Sequence, residues 1–238
     1  MKKILITNDD GIDAVGLYRL AEIAKNLGEV IVVAPDRGRS ANSHSITLTQ
    51  EIEVYPYDLG IEGIKAYACS GTPADCVRIA KYNIVNDKID LVLSGINNGY
   101  NVGLDLQYSA TAGAAFEAIF QGIKAVAISE GDNSTGELSE KYLLEILNKI
   151  IDIKIEPYQI HNINFPNCNF DDCKGILYDR KVCQGSYYFD IYKEIEQLPN
   201  GGKKLIVEGL FNENVEENTD LKAILDKYIS VGVVNNIG

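Results

Sequence analysis

Histidine is scarce in this chain: only His44 and His161 occur in 238 residues. The five cysteines (Cys69, Cys76, Cys168, Cys173 and Cys183) are odd in number, irregularly spaced and without a CxxC pair. A zinc site of the usual Cys/His spacing is therefore not expected, and reduced thiols are the reading preferred over a disulfide among Cys168, Cys173 and Cys183. Basic charge is also short, leaving a formal net charge of −12. Nucleic-acid polymers are bound through basic surface and counterion release, so no such partner is expected. A single phosphorylated metabolite, its charge offset by a local cation, is not excluded. No apolar run approaches the ~20 residues of a membrane span. Ile4-Leu5-Ile6 is too short for the apolar region of a signal peptide, which leaves the expectation of a cytoplasmic protein with no membrane partner. There is no Gx4GK[ST] sequence and hence no P-loop.

A hydrophobic content of 46% with 24% charged residues supplies enough apolar material for a full core. A single domain is expected, with residues 1–166 as an α/β core and 167–238 as a C-terminal extension. Lys3-Ile4-Leu5-Ile6-Thr7 and Val30-Ile31-Val32-Val33-Ala34 are continuous apolar runs, as in strands covered on both faces. Between them Leu17, Leu20, Ala21, Ala24 and Leu27 recur at helical spacing, with Gly28 as the stop. Ile52 to Tyr57 and Ile64 to Cys69 read as paired strands. Thr72-Pro73-Ala74-Asp75 joins an N-cap, a first-position proline and an acid three residues on, which predicts a helix with Val77, Ala80 and Ile84 inward. Asp90 to Ser94 and Lys124 to Ile128 are further buried strands, separated by a small-residue helix from Thr111 to Phe120. Another helix, Ser139 to Ile151, carries Tyr142, Ile146 and Ile150 inward.

This alternation predicts a three-layer α/β fold, a mostly parallel Rossmann-like sheet with helices on both faces. The pattern changes at His161-Asn162-Ile163-Asn164-Phe165-Pro166. Gly175 to Tyr178, Ser186 to Tyr192 and Leu205 to Glu208 read as hairpins projecting from the core, suited to self-association or to a surface flap. A short helix from Thr219 to Asp226 and a closing strand from Tyr228 to Val234 complete the pattern.

In an open parallel sheet, ligands bind beyond the carboxyl ends of the strands. The first strand delivers Asn8, Asp9 and Asp10 there, the second Asp36-Arg37-Gly38-Arg39-Ser40-Ala41-Asn42-Ser43, and the strand ending at Ser94 delivers Gly95-Ile96-Asn97-Asn98-Gly99-Tyr100-Asn101. Asn-Asp-Asp-Gly and Asn-Asn-Gly are also ordinary turn formers, and serines in a polar loop are commonly only surface. Three oxygen-rich loops at equivalent strand ends make the stronger pattern. Two adjacent carboxylates repel, and burying them costs several kcal/mol unless a positive group lies between them. Hard oxygen donors suit Mg²⁺ or Mn²⁺ better than zinc or copper. The shortage of histidine near these loops, His44 excepted, argues against a phosphohistidine or a Ser-His-Asp mechanism. The first strand–helix turn reads NDDGIDAVG rather than GxGxxG, so a dinucleotide-dependent oxidoreductase is disfavoured.

The segments ILITNDDG, APDRGRSANSHSIT, SGTPADCV and DLVLSGINNGYNVGLDLQYSATAGAAFEA, in order over residues 1 to about 130, resemble the SurE (survival protein) family of metal-dependent nucleotidases. Asn162 to Pro166, Asn218-Thr219-Asp220 and Tyr228 to Val231 resemble it more weakly. The resemblance implies a phosphatase acting on nucleoside 5′- and 3′-monophosphates, with phosphate-chain hydrolysis in certain members. It implies one divalent cation, Mg²⁺ or Mn²⁺, held by Asp9, Asp10, Ser40 and Asn97, with Asp9, Asp10 and Asn97 catalytic. A polarised water would attack phosphorus in line. Asn8, Asn101, Ser109 and Thr111 are assigned to the phosphate side, although Ser109 and Thr111 also suit a plain helix cap and Asn101 also suits orienting the Asn97 loop. Arg37 and Arg39 would meet phosphate or pair with surface acids, and Gly71-Thr72 would support the site through its helix start. A homodimer is expected, with a tetramer as an alternative. A nucleotide-binding regulatory protein without turnover is the rival reading.

Two departures from the family pattern stand out. Ser109-Ala110-Thr111 replaces the usual Ser-Gly-Thr, which would strain Ala110 if that position needed positive φ. The chain also ends at Ile237-Gly238, where members commonly continue into a further element used in subunit contacts.

Overall fold

The computed structural model describes residues 1–212 and 215–236, so Ile237 and Gly238 lie outside the described residues. The first apolar run forms β1 (Lys2–Thr7). Its side chains alternate between two cores: Ile4 and Ile6 enter one, Leu5 the other. α1 (Val15–Ala24) follows, and its C-cap is Lys25. Gly28 opens β2 (Gly28–Pro35) instead of closing the helix. β3 (Val54–Tyr57) and β4 (Lys65–Cys69) pair antiparallel as expected.

The capping box at Thr72 and Asp75 starts α2 (Pro73–Ile79), which passes into a π-helical turn, Ala80–Ile84. β5 (Leu91–Asn98), a 3₁₀ turn at Gly103–Gln107, α3 (Ala110–Phe120) and β6 (Lys124–Glu130) come next. α4 (Glu137–Ile150) buries Ile146 and Ile150, while Tyr142 is half-buried and stacks on Phe170 at 6.0 Å between centroids. β7 (Gln159–Phe165) is a fully formed strand where the sequence pattern only broke; buried Asn162 and Asn164 interrupt its apolar run.

The main sheet has nine strands in the order β3-β4-β2-β1-β5-β6-β7-β11-β8, where β8 is Ile176–Arg180 and β11 is Ile229–Asn235. β4, β2, β1, β5, β6 and β7 are mutually parallel. β11 runs antiparallel to β7 and parallel to β8. α1 and α4 cover one face, α2 and α3 the other. The architecture is therefore α/β, three-layered and mostly parallel.

The C-terminal strand pieces divide in a way the pattern did not show. Ile176–Arg180 is not part of a hairpin but extends the main sheet beyond β11. Only β9 (Tyr188–Gln197) and β10 (Lys203–Phe211) form a separate two-stranded antiparallel ribbon. α5 (Asp220–Leu225) buries Leu221 and Ile224 against Val102 and Cys183.

Strand order reverses at β1: the chain winds outward to β2 and β4, then returns to place β5 on the other side of β1. Such a switch point leaves a crevice beyond the carboxyl ends of the two central strands. The ends of β1 and β5 carry Asp9, Asp10 and Asn97 into it.

Candidate active site

The turn after β1 is made by Asn8. Its Nδ2 donates to the Gly11 carbonyl at 2.9 Å, and the Gly11 N–H donates to its Oδ1 at 3.2 Å. Gly11 has φ +105°, and a Cβ there would meet the Arg37 backbone at 3.1 Å. Both ends of the Asn8 amide thus serve the turn that presents the two acids. Asp9 is 3% exposed, and Thr111 Oγ1 donates to its Oδ1 at 2.6 Å. Burial, helped by the charge on Asp10, pushes the Asp9 carboxyl up to about 6, against the pull of the Thr111 bond. Asp10 is half-buried and accepts from the Asn98 N–H at 3.0 Å, so β1 and β5 are tied across the crevice. Burial also raises the Asp10 carboxyl, and Asp132 and Glu130 raise it further.

The charges that raise the pair, Asp10 on Asp9 and Asp132 with Glu130 on Asp10, are all negative. This is the arrangement that calls for a cation. Among the described residues no group of three or more His, Cys, Asp and Glu gathers as a metal cage. The donors on offer are two carboxylates plus neutral oxygens, which fits Mg²⁺ or Mn²⁺. The neutral candidates adjoin the residues whose amides grip the pair. Ser40, exposed, follows Arg39, whose N–H donates to the Asp9 carbonyl at 2.6 Å. Asn97, half-buried, precedes Asn98 and spends its Nδ2 on the Gly99 carbonyl at 2.8 Å, which leaves its Oδ1 for a ligand.

The other sequence candidates differ in what they touch. Thr111 joins the acidic pair directly, through Asp9. Ser109 caps α3, its Oγ accepting from the Ala112 N–H at 3.0 Å. Ala110 lies in the first turn of α3 and is not among the residues with positive φ, so its Cβ brings no backbone strain. Asn101 belongs to the scaffold: its Nδ2 donates to Ser129 Oγ at 2.8 Å, its N–H to Asn164 Oδ1, and its carbonyl accepts from Asn162 and Asn164. Arg37 lies 3.4 Å from Asp36 and is largely exposed. Arg39 turns to Asp36 and the Ser70 carbonyl. Thr72 supports the site at a distance, its Oγ1 donating to the Ser45 carbonyl at 2.7 Å.

Sequence reasoning missed the fourth loop. β6 runs two residues past Ile128 and delivers Glu130-Gly131-Asp132 to the same edge, where a Cβ on Gly99 would lie 3.1 Å from Asp132 Oδ1. Applying the strand-end rule to β6 as well would have found it. Glu130 is neutralised by Arg19 at 2.6 Å; Asp132 is the acid that acts on Asp10 first.

With this geometry in view, the comparisons are decisive. Residues 4–186 match the sequence model of the family described as "Survival protein SurE". The chain belongs to the SurE family. It is 40% identical to the 5′-nucleotidase SurE of Clostridium botulinum (strain ATCC 19397 / Type A), over 96% of this chain and 90% of that protein. It is 38% identical to the 5′-nucleotidase SurE of Flavobacterium johnsoniae, over 96% and 88%. The crystal structure of the SurE protein from Aquifex aeolicus superposes with a TM-score of 0.83 at 34% identity, over 98% of this chain and 93% of that one. The SurE match spans all three loops first read from the sequence and the Glu130–Asp132 loop as well.

Proposed function

We propose that the chain is a divalent-cation-dependent 5′-nucleotidase that hydrolyses nucleoside 5′-monophosphates, and 3′-monophosphates as well, to nucleoside and phosphate. The observation that carries this reading is the Asp9–Asp10 pair at the β1–β5 crevice, with both carboxyls raised by burial and by further acids. The activity in the names of the Clostridium and Flavobacterium relatives supports the substrate class. Asp9, Asp10, Ser40 and Asn97 would hold one Mg²⁺ or Mn²⁺. When bound, the cation supplies Lewis-acid polarisation of the phosphoryl group and a more acidic water.

The chain's own residues hold and orient. Thr111 fixes Asp9, and the Asn98 N–H fixes Asp10. The amino end of α3, reached through Thr111, offers backbone N–H groups and the positive end of the helix dipole to a phosphate. Asn101, anchored on β7, keeps the β5 loop in register with the acids.

Two companions of this reading concern assembly and place. The β9–β10 ribbon exposes Phe189, Ile191, Tyr192, Ile206, Leu210 and Phe211. An isolated two-stranded ribbon is marginal in water, so we read it as the contact of a homodimer. Among the described residues no helix is long and apolar enough to cross a membrane, which is consistent with a cytoplasmic enzyme.

A phosphate-release screen over nucleoside monophosphates with Mg²⁺, Mn²⁺ and chelator tests the activity. Release that requires the cation is expected. Undiminished release in chelator overturns the metal reading, and nucleotide binding without release under saturating Mn²⁺ favours a regulatory binding protein.

A further inference from the structure

The segment 36–53, between β2 and β3, contains no helix or strand, and connections of this length inside a compact domain are usually functional. It carries Ser40. Ala41 and Ser43 take left-handed backbone conformations, φ 58° and 51°, so no regular hydrogen-bond ladder holds this stretch. Its position is set by individual ties to the elements around it. Upstream, the Arg39 N–H bonds the Asp9 carbonyl. Downstream, the Thr47 N–H and Oγ1 bond Asp75, and Thr72 bonds the Ser45 carbonyl.

Between those anchors the loop lies on α3. The Ser43 N–H donates to the Tyr108 carbonyl at 3.0 Å, and the Ser43 carbonyl sits where a Cβ on Gly113 would come within 2.4 Å. His44 Nε2 lies 2.8 Å from Glu117 Oε2, and the ring packs on Phe120 with centroids 5.2 Å apart. Glu117 is 4% exposed on a helix whose buried face is otherwise mostly alanine. Although burial pushes its carboxyl up, the bonds from His44 and Gln121 and the charges of His44 and Arg78 hold it below the usual carboxylate range. A buried carboxylate kept ionised on an alanine-rich helix is costly, and its contact with the loop gives that placement a purpose.

We propose that His44 and Glu117 form a positioning pair, through which α3 holds the Ser40 loop against the cation site just as it holds Asp9 through Thr111. The inference rests on the reading of Ser40 as a cation ligand. One rigid helix then serves as the common reference for a carboxylate ligand and a hydroxyl ligand from two different loops. Because Arg39 and Thr47 still tether the loop on either side, loss of the pair frees Ser40 without dismantling the fold.

The experiment is Mn²⁺ binding by calorimetry to the metal-free protein, with thermal unfolding in parallel, for wild type, His44→Ala, His44→Gln, Ser40→Ala and the His44→Ala/Ser40→Ala double variant. Outer partners of metal ligands are typically worth tenfold or more in affinity, so His44→Ala is expected to weaken Mn²⁺ by roughly tenfold. His44→Gln, which can still donate to Glu117, is expected to recover most of that loss. The double variant is expected to bind no more weakly than Ser40→Ala alone, the signature of two residues acting as one unit. Should the alanine variant not fold, His44→Leu keeps the packing on Phe120, cannot bond Glu117 and carries the same expectation. Mn²⁺ affinity within twofold of wild type in His44→Ala, or additive losses in the double variant, overturns the proposal alone if Asp9→Asn still abolishes binding. Absence of Mn²⁺ binding by wild type overturns the metal reading, and this proposal with it.

Discussion

At the amino ends of the strands Lys2 meets Asp152 at 2.9 Å, Lys3 meets Asp87 at 2.8 Å and Lys88 lies 3.8 Å from Asp90. Lys2, Lys88, Asp90 and Asp152 rim an open hollow of about 560 Å³ that also includes Lys124. At the carboxyl ends Asp9 and Asp10 converge; the Asp10 charge adds to the burial that raises Asp9, and Asp132 and Glu130 raise Asp10 further. At one end lysines and acids meet in pairs such as Lys2–Asp152 and Lys88–Asp90 near the surface, where a pair is worth little. The other end buries Asp9 almost completely and Asp10 in part, beside further acids. The balance of charge around Asp9 and Asp10, rather than the presence of a hollow, marks this site.

The sharpest test of that contrast is Asp9→Asn or Asp10→Asn. Each is expected to lower nucleoside monophosphate hydrolysis at least about 100-fold, read as phosphate release under saturating Mn²⁺. Asp9→Asn is also expected to stabilise the cation-free protein at pH 8. The folded-state value of Asp9 is raised to about 6, so its ionised form weakens the fold above that pH, and the penalty vanishes below its ordinary 3.8. The gain, read by denaturant unfolding in chelator, is on the order of 2 kcal/mol. Loss of function with gain of stability would set this corner apart from the paired end.

Next in size, saturating Mn²⁺ is expected to raise the thermal midpoint of wild type by about 5 °C, and of Asp9→Asn hardly at all. A smaller effect concerns His161, buried on β7 beside Lys124. Burial, with the Lys124 charge, lowers its proton affinity below the ordinary 6.5. Its neutral form therefore contributes stability that is full above pH 6.5 and is lost as pH falls through its folded-state value. His161→Phe should flatten that part of a stability-versus-pH curve measured in urea. Smallest of all, Lys2→Ala or Lys88→Ala is expected to change stability by less than about 0.5 kcal/mol in either direction. A larger loss would contradict the account of the amino end.

Asp9 and Asp10 were legible because two adjacent acids after an apolar run leave few physical explanations. The parallel core was legible for a similar reason, since runs such as Val30–Ala34 suit only strands covered on both sides. What hid did so for different reasons. Polar residues inside a strand masked β7, where Asn162 and Asn164 serve the distant Asn101. A strand end placed two residues short at Ile128 concealed Asp132. The His44–Glu117 contact joins residues 73 positions apart, and no local pattern announces such a pair. Asn8 carried a signal that was only half used: Asn followed three residues later by Gly is an ordinary backbone-bonding turn.

The capping box of α2 has a consequence for how the molecule opens. The Asp75 carboxylate accepts from the Thr72 N–H, the Thr47 N–H and the Thr47 hydroxyl together. A helix start and a loop that are far apart along the chain therefore share one acceptor. Neither can fray without stranding the other, so in native-state amide exchange the Thr47 and Thr72 protons should be released in a single opening event.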